Sequence, residues 1–287
     1  MSLKQKMKKA IRKLLYLIKE EKKVPIPVQI NTSELLAGKI ALISGGTGGI
    51  GIAIAENFLK NGAKVIITGS NENSVNSALN KLKQKDTRYE TLIKGMVLNL
   101  FDVSSFPDKI NDAVSLFEEK RIDILVNSAG LLNKNKFLNT TEEEYDNIMG
   151  VNLKGVYFLC QSTARYMISN KVKGHILNVS SSSSLRPAWM PYQISKWGLR
   201  GFTLGLADTL LPYGIIVNAI APGPVATSML HREEGDTLDN QRTISGRYAE
   251  PSEIANLAAF MVSDMGNLIV GDTYYITGGS GTISYHK

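Results

Sequence analysis

Apolar residues fall in short continuous runs, and longer amphipathic stretches separate one run from the next along most of the chain. Lys39–Ile43, Lys64–Gly69, Gly95–Asn99, Ile122–Asn127, His175–Val179 and Gly214–Ala219 are such runs. They are rich in Ile, Val and Leu without polar alternation, the pattern of strands covered on both faces. Between them, apolar positions recur at helical spacing: Ile52, Ala55, Phe58 and Leu59 after the first run, then the segments 75–85, 106–120, 142–168 and 194–211. Strand alternating with helix predicts an α/β fold: a doubly wound parallel sheet in three αβα layers, forming a single domain.

In such sheets ligands bind at the carboxyl ends of the strands, and there the chain turns polar. The first run leads into Ser44-Gly45-Gly46-Thr47-Gly48-Gly49-Ile50-Gly51 and then directly into a helical pattern. Strand, glycine turn and helix make a phosphate cradle: glycines let the backbone approach a pyrophosphate, whose charge meets the N–H groups and dipole of the helix start. The glycine spacing satisfies GxGxxG, GxxGxxG and GxxxGxG alike, so the loop indicates a dinucleotide and leaves the subfamily open. After the second run, where an Asp or Glu binds the ribose hydroxyls of NAD, stand Ser70 and Asn71. The missing acid leaves room for a 2′-phosphate, although neither Ser70 nor Gly48 is a cation. NADP is the favoured cofactor and NAD the alternative. Glu72 is expected in the first turn of the following helix.

Tyr192 and Lys196 are four residues apart in a helical pattern, which puts them on one face. An ammonium one turn from a phenol is expected to stabilise the phenolate and bring its pKa toward neutrality, as proton transfer requires.

Taken with Asn127-Ser128-Ala129-Gly130, Val151-Asn152-Leu153, Asn178-Val179-Ser180-Ser181 and Pro222-Gly223, these motifs resemble the short-chain dehydrogenase/reductase family in its single-domain form. The resemblance runs from Gly38 to the C-terminus. It implies that Tyr192 is the general acid or base at the substrate oxygen, and that Lys196 tunes Tyr192 and holds the nicotinamide ribose. Ser181 would bond the substrate oxygen, with Ser180 in reserve, and Asn152 would hold a water in a relay to Lys196. The cofactor residues implied are Gly45, Thr47, Gly49, Ile50 and Gly51 at the phosphates and Asn99 and Leu100 at the adenine. Asn127, Ala129 and Gly130 would lie by the riboses, and Pro222, Gly223, Val225 and Thr227 at the carboxamide end. Ser70, Tyr192 and Lys196 complete the set. One departure stands near the C-terminus, where the family's Val-Asp-Gly-Gly is Ile276-Thr277-Gly278-Gly279.

The chain has 287 residues, 43% of them hydrophobic, enough for one large core. Cys160 is the single cysteine and lies in an apolar helical run, so it reads as a small core residue. His175, His231 and His286 have no metal-ligand spacing, and no metal is expected. Residues 1–23 carry eight lysines and Arg12 against two glutamates, which accounts for the whole chain's net charge of +7. Met7, Ile11, Leu14, Leu15 and Ile18 make an apolar stripe there, so residues 1–37 are expected to be a basic amphipathic helix and a Pro-containing extension ahead of a 38–287 body. Packing of that stripe on protein is favoured over peripheral contact with an anionic membrane, and nucleic-acid binding is not expected. The segment is too charged to span a bilayer and lacks a signal peptide's apolar core.

The polar interval 229–247 is expected to be a mobile lid over the substrate. The functional expectation is a cytoplasmic homo-oligomer, a dimer or tetramer, that moves a hydride between a nicotinamide and a small-molecule carbonyl or secondary alcohol. The alternatives are a sugar-nucleotide epimerase or dehydratase with the same Tyr-xxx-Lys chemistry, and a non-catalytic adaptor binding through its N-terminal helix.

Overall fold

The computed structural model describes Met7 and residues 34–232, 235–240 and 243–283. The chain divides into two units, residues 1–30 and 31–287. The helix expected over 1–23 lies, apart from Met7, outside the described residues. In the second unit Leu36, assigned by sequence to the extension, is fully buried in the core. Its N–H bonds the Asn61 carbonyl at 2.9 Å.

Seven parallel strands form one sheet: β1 Ile40–Ser44, β2 Lys64–Gly69, β3 Ile93–Val97, β4 Ile124–Asn127, β5 His175–Val179, β6 Ile216–Pro222 and β7 Thr273–Ile276, in the order β3-β2-β1-β4-β5-β6-β7. The order reverses between β1 and β4, which is where such a sheet opens a crevice. The α-helices of eight or more residues among the described residues are α1 Gly49–Lys60, α2 Glu72–Lys83, α3 Phe106–Ser115, α4 Glu142–Met149, α5 Val156–Ser169, α6 Pro191–Leu210 and α7 Pro251–Val262. Because side chains alternate along a strand, the sheet feeds two cores. Ala41, Ile43, Val65 and Ile67 pack with Ile54, Phe58 and Ile254 of α1 and α7. Ile40, Leu42 and Ile66 pack with Phe106, Leu159 and Leu199 of α3, α5 and α6.

Several expectations shift, among them the start of β4 by two residues and both ends of β6 by two or three. β3 begins two residues earlier than the Gly95–Asn99 run, because Ile93 is the buried residue of the pair at its start. The helix expected over 106–120 stops at Ser115. The helix expected over 142–168 is interrupted by a π-helical segment, Gly150–Gly155. It passes so close to the loop after β3 that a Cβ on Gly150 would meet the Phe101 ring at 2.7 Å and one on Gly155 the Leu100 carbonyl at 2.6 Å. Finally, α7 and β7 lie outside the expected set, β7 because Thr-Tyr-Tyr-Ile is short and only half-buried. Glu72 occupies the first turn of α2, whose start is capped by Asn71.

At the amino ends of the strands Asp123 ties the sheet together. Its Oδ2 accepts from the Ile40 N–H at 2.8 Å and from Arg121 Nε at 3.0 Å. His175, at the start of β5, is buried there with Nε2 unpartnered. Burial pushes its pKa down to about 4, and Lys39 adds to the effect.

Candidate active site

The turn between β1 and α1 is built by close approach. Gly45 has φ +69°, and a Cβ there would sit 2.5 Å from the Ala129 nitrogen, while a Cβ on Gly51 would overlap the Gly45 carbonyl. Gly48 caps α1 without a side chain, and no acidic residue stands in the first turn. The start of α1 therefore presents backbone N–H groups and the positive end of its dipole, the chemistry a pyrophosphate requires.

This turn forms one wall of a groove of about 440 Å³ across the carboxyl ends of β1, β2, β4 and β5. Of the expected cofactor residues, Gly45, Thr47, Gly49, Ile50, Ser70, Asn99, Leu100, Ala129, Gly130, Tyr192, Lys196 and Thr227 line it. Among the described residues lining it, Lys196 is the one charged side chain, so no carboxylate opposes a phosphate. Ser44 and Thr68, also in the wall, carry buried hydroxyls without a protein partner. These features fit a dinucleotide.

Five expected cofactor residues stand behind the groove. Gly51 packs on the Gly45 peptide, and Val225 is in the core. Pro222 is the buried last residue of β6, and Gly223 lies against the Thr277 backbone, 2.7 Å from its would-be Cβ. Asn127 turns inward, donating to Asn178 Oδ1 at 2.9 Å and to Cys160 Sγ at 3.1 Å, in a network that continues from Asn178 to Thr203 at 3.0 Å. Asn127 sits in register with Asn178 on β5, so its amide meets that neighbour. Cys160 is fully buried, and its thiol is pushed up to about 12, which leaves it a core residue.

At the inner end of the groove Tyr192 and Lys196 rise from the first turns of α6. The Ser181 side chain lies near enough to the Tyr192 phenol to oppose the rise in its pKa, and Ser181 Oγ accepts from the Ser183 N–H at 3.1 Å. Ser180, the reserve, instead donates to the Lys196 carbonyl at 3.3 Å. Lys196 Nζ donates to the Val179 carbonyl at 2.8 Å and lies 5.7 Å from the centre of the Tyr192 ring. Burial pushes the lysine down to about 8. The expected lowering of the phenol by the ammonium is not realised: burial raises Tyr192, and the opposing influence comes from the Ser181 side chain. The ammonium is directed at the strand end rather than at the phenol oxygen.

Asn152, in the π-helical segment, is fully buried. Its amide clamps both polar groups of the Leu131 peptide, accepting from N–H at 2.7 Å and donating to C=O at 2.9 Å, and reaches Ser195 Oγ at 3.2 Å. Its side chain thus holds a loop, a role the expected water relay did not include. Sequence reasoning missed Asn133, Ser195, Ser44 and Thr68. Their signal is only a hydroxyl or amide near a strand or helix end, which many surface positions share.

A doubly wound sheet with a glycine cradle at its switch point and a Tyr–Ser–Lys group beside it defines a dinucleotide-binding oxidoreductase. The sequence profile of a family described as "Enoyl-(Acyl carrier protein) reductase" matches residues 45–281. The 3-oxoacyl-(acyl-carrier-protein) reductase FabG of Aquifex aeolicus (strain VF5) is 33% identical over 248 residues, 85% of this chain and 98% of that protein. A 3alpha-hydroxysteroid dehydrogenase of Mediterraneibacter gnavus (strain ATCC 29149 / DSM 114966 / JCM 6515 / VPI C7-9) is 35% identical over 85% of this chain and 97% of its own length. In structure, a gluconate 5-dehydrogenase from Burkholderia cenocepacia J2315, in complex with NADP and tartrate, aligns with TM-score 0.78 at 27% identity, covering 89% of this chain and 100% of that one. The chain belongs to the short-chain dehydrogenase/reductase family, and it is an NAD(P)-dependent oxidoreductase. The epimerase and adaptor alternatives are not favoured.

Proposed function

We propose that the protein uses NADP(H) to interconvert a carbonyl and a secondary alcohol, with Tyr192 as the proton donor in reduction. The observation that carries this is the Tyr192 phenol, which lines the groove beside Lys196 and Ser180 and is raised in pKa by burial. A phenol kept protonated at neutral pH is set to donate to a carbonyl oxygen as negative charge develops there. The Ser181 hydroxyl is the second group able to bond that oxygen, and Lys196, in the groove wall with its Nζ held on the Val179 carbonyl, would hold the nicotinamide ribose. A bound nicotinamide supplies or accepts the hydride. Gly45, Gly49 and Ile50 would hold its pyrophosphate, and Ser70, with no acid beside it in the groove wall, would face the adenosine ribose and its 2′-phosphate. Complexes of relatives with NADP support the cofactor preference.

The described part of 229–247 belongs to the same reading as a lid, since Met229 lines the groove beside Ser228. A homotetramer is supported by exposed aromatic surface on α5 and α6, where Tyr157 and Trp197 are 44% and 42% exposed and Tyr157 stacks on Phe202 at 4.9 Å. Among the described residues no helix is long and apolar enough to cross a membrane, and a cytoplasmic setting is part of the proposal. The N-terminal segment is proposed to pack on protein.

The deciding experiment is a screen of NADPH and NADH oxidation against ethyl acetoacetate, cyclohexanone and keto-sugar acids, with gluconate and polyols in the reverse direction. Turnover of at least one compound, faster with NADPH, is expected. No turnover with any of them, or a clear preference for NADH, counts against the proposal.

A further inference from the structure

The two polar backbone groups of Tyr192 are each held by a side chain. Its N–H donates to Asn133 Oδ1 at 2.9 Å, and its C=O accepts from Ser195 Oγ at 2.7 Å. These two grips are joined. Ser195 Oγ accepts from Asn152, and Asn152 clamps the Leu131 peptide, two residues before Asn133. The result is a closed ring running from the loop after β4, through the π-helical segment, to the first turn of α6 and back.

The N–H grip has a specific cause. α6 begins with Met190 at the N-cap, which brings no oxygen, and Pro191 at the next position, which brings no N–H. The Gln193 side chain reaches back to the Trp189 and Met190 N–H groups, not forward. The first-turn N–H of Tyr192 has no intrahelical acceptor, since acceptors lie four residues back. The loop residue Asn133, 59 positions away in sequence, fills the place that Ser, Thr or Asp takes in an ordinary N-cap.

We propose that Asn133 is a positioning residue for the reaction: its carboxamide oxygen fixes the peptide of Tyr192, and so the place from which the phenol reaches substrate. This rests on the acid–base role given to Tyr192. A displacement of about 1 Å at a reacting group costs up to about 100-fold in rate, so the effect falls on turnover rather than on binding. The other end of the Asn133 amide, Nδ2, is buried without a partner, so an aspartate there would lose no bond.

The test compares Asn133→Ala, Asn133→Asp and Tyr192→Phe in the full chain, using the panel compound turned over fastest, with NADPH titrated by fluorescence. Asn133→Ala is expected to lower kcat at least tenfold while KM and the NADPH Kd stay within threefold. Its Tyr192 amide is expected to exchange hydrogen at least tenfold faster. Asn133→Asp, which keeps the acceptor, should return kcat and exchange to within threefold of the parent. Where Asn133→Ala does not fold, Asn133→Ser makes the same test, its hydroxyl being too short to reach. A kcat within twofold of the parent in the truncated variant, or a lower melting temperature alone, overturns the proposal. If Tyr192→Phe keeps its turnover, the acid–base reading fails instead; loss in Tyr192→Phe with none in Asn133→Ala withdraws only the positioning role.

Discussion

The two ends of the sheet handle buried polar groups in opposite ways. At the amino ends Asp123 is closed onto a backbone N–H and a guanidinium, within 3.0 Å of each. At the carboxyl ends the Ser44 and Thr68 hydroxyls in the groove wall have no protein partner, and the one charged lining group, Lys196, spends its ammonium on a backbone carbonyl. A buried polar group without a partner costs roughly 1–3 kcal/mol. The amino end avoids most of that cost at Asp123, whereas at the carboxyl end it stays on the two sealed hydroxyls. His175 is the exception at the amino end: its Nε2 is buried without a partner, so its cost falls on stability.

The largest test of this contrast is Tyr192→Phe. It deletes the transferable proton and keeps the ring, so steady-state turnover should fall at least about 1,000-fold, or about 4 kcal/mol in barrier, with the NADPH Kd and melting temperature nearly unchanged. Loss of stability comparable to the loss of rate would show that the carboxyl end is a structural region like the other.

His175 gives the converse. Its native pKa is about 4 against an ordinary 6.5, so between these values the unfolded chain binds a proton that the native protein does not. Stability must therefore fall as pH falls through that window, by about 3 kcal/mol on reaching pH 4. Urea unfolding at pH 7 and pH 4.5 should show this acid loss in the parent and a smaller one in His175→Phe, with turnover at pH 7 unaltered. Equal acid sensitivity in the two proteins would remove His175 as its source.

Ser70→Asp sharpens the contrast at the rim of the groove. A carboxylate there repels a 2′-phosphate and accepts from ribose hydroxyls, so the ratio of NADPH to NADH affinity should drop by about tenfold, near 1.4 kcal/mol. Direct titration of both nucleotides checks this. An unchanged ratio would mean that the adenosine ribose is read elsewhere in the wall.

Much of this was legible in the chain. Continuous Ile/Val/Leu runs fixed β1, β2 and β5 to within a residue, because strands covered on both faces tolerate little else, and the glycine turn declared itself because Gly45 and Gly51 meet backbone where no Cβ fits. Tyr192 and Lys196 shared a face by local helix geometry alone. What depends on distant segments was not legible. Sequence placed Asn127 at the cofactor, but the register of β4 against β5 gave its amide to Asn178 and Cys160. Sequence assigned Lys196 to lower the phenol's pKa, but the β5 carbonyl of Val179 captured the ammonium while burial moved both groups the other way. The cap on Tyr192 came from a loop that no spacing along the chain connects to it. Periodicity and backbone sterics act between near neighbours and so are written in the sequence, whereas desolvation and hydrogen-bond partnership are set by which remote groups the packed sheet and helices bring together.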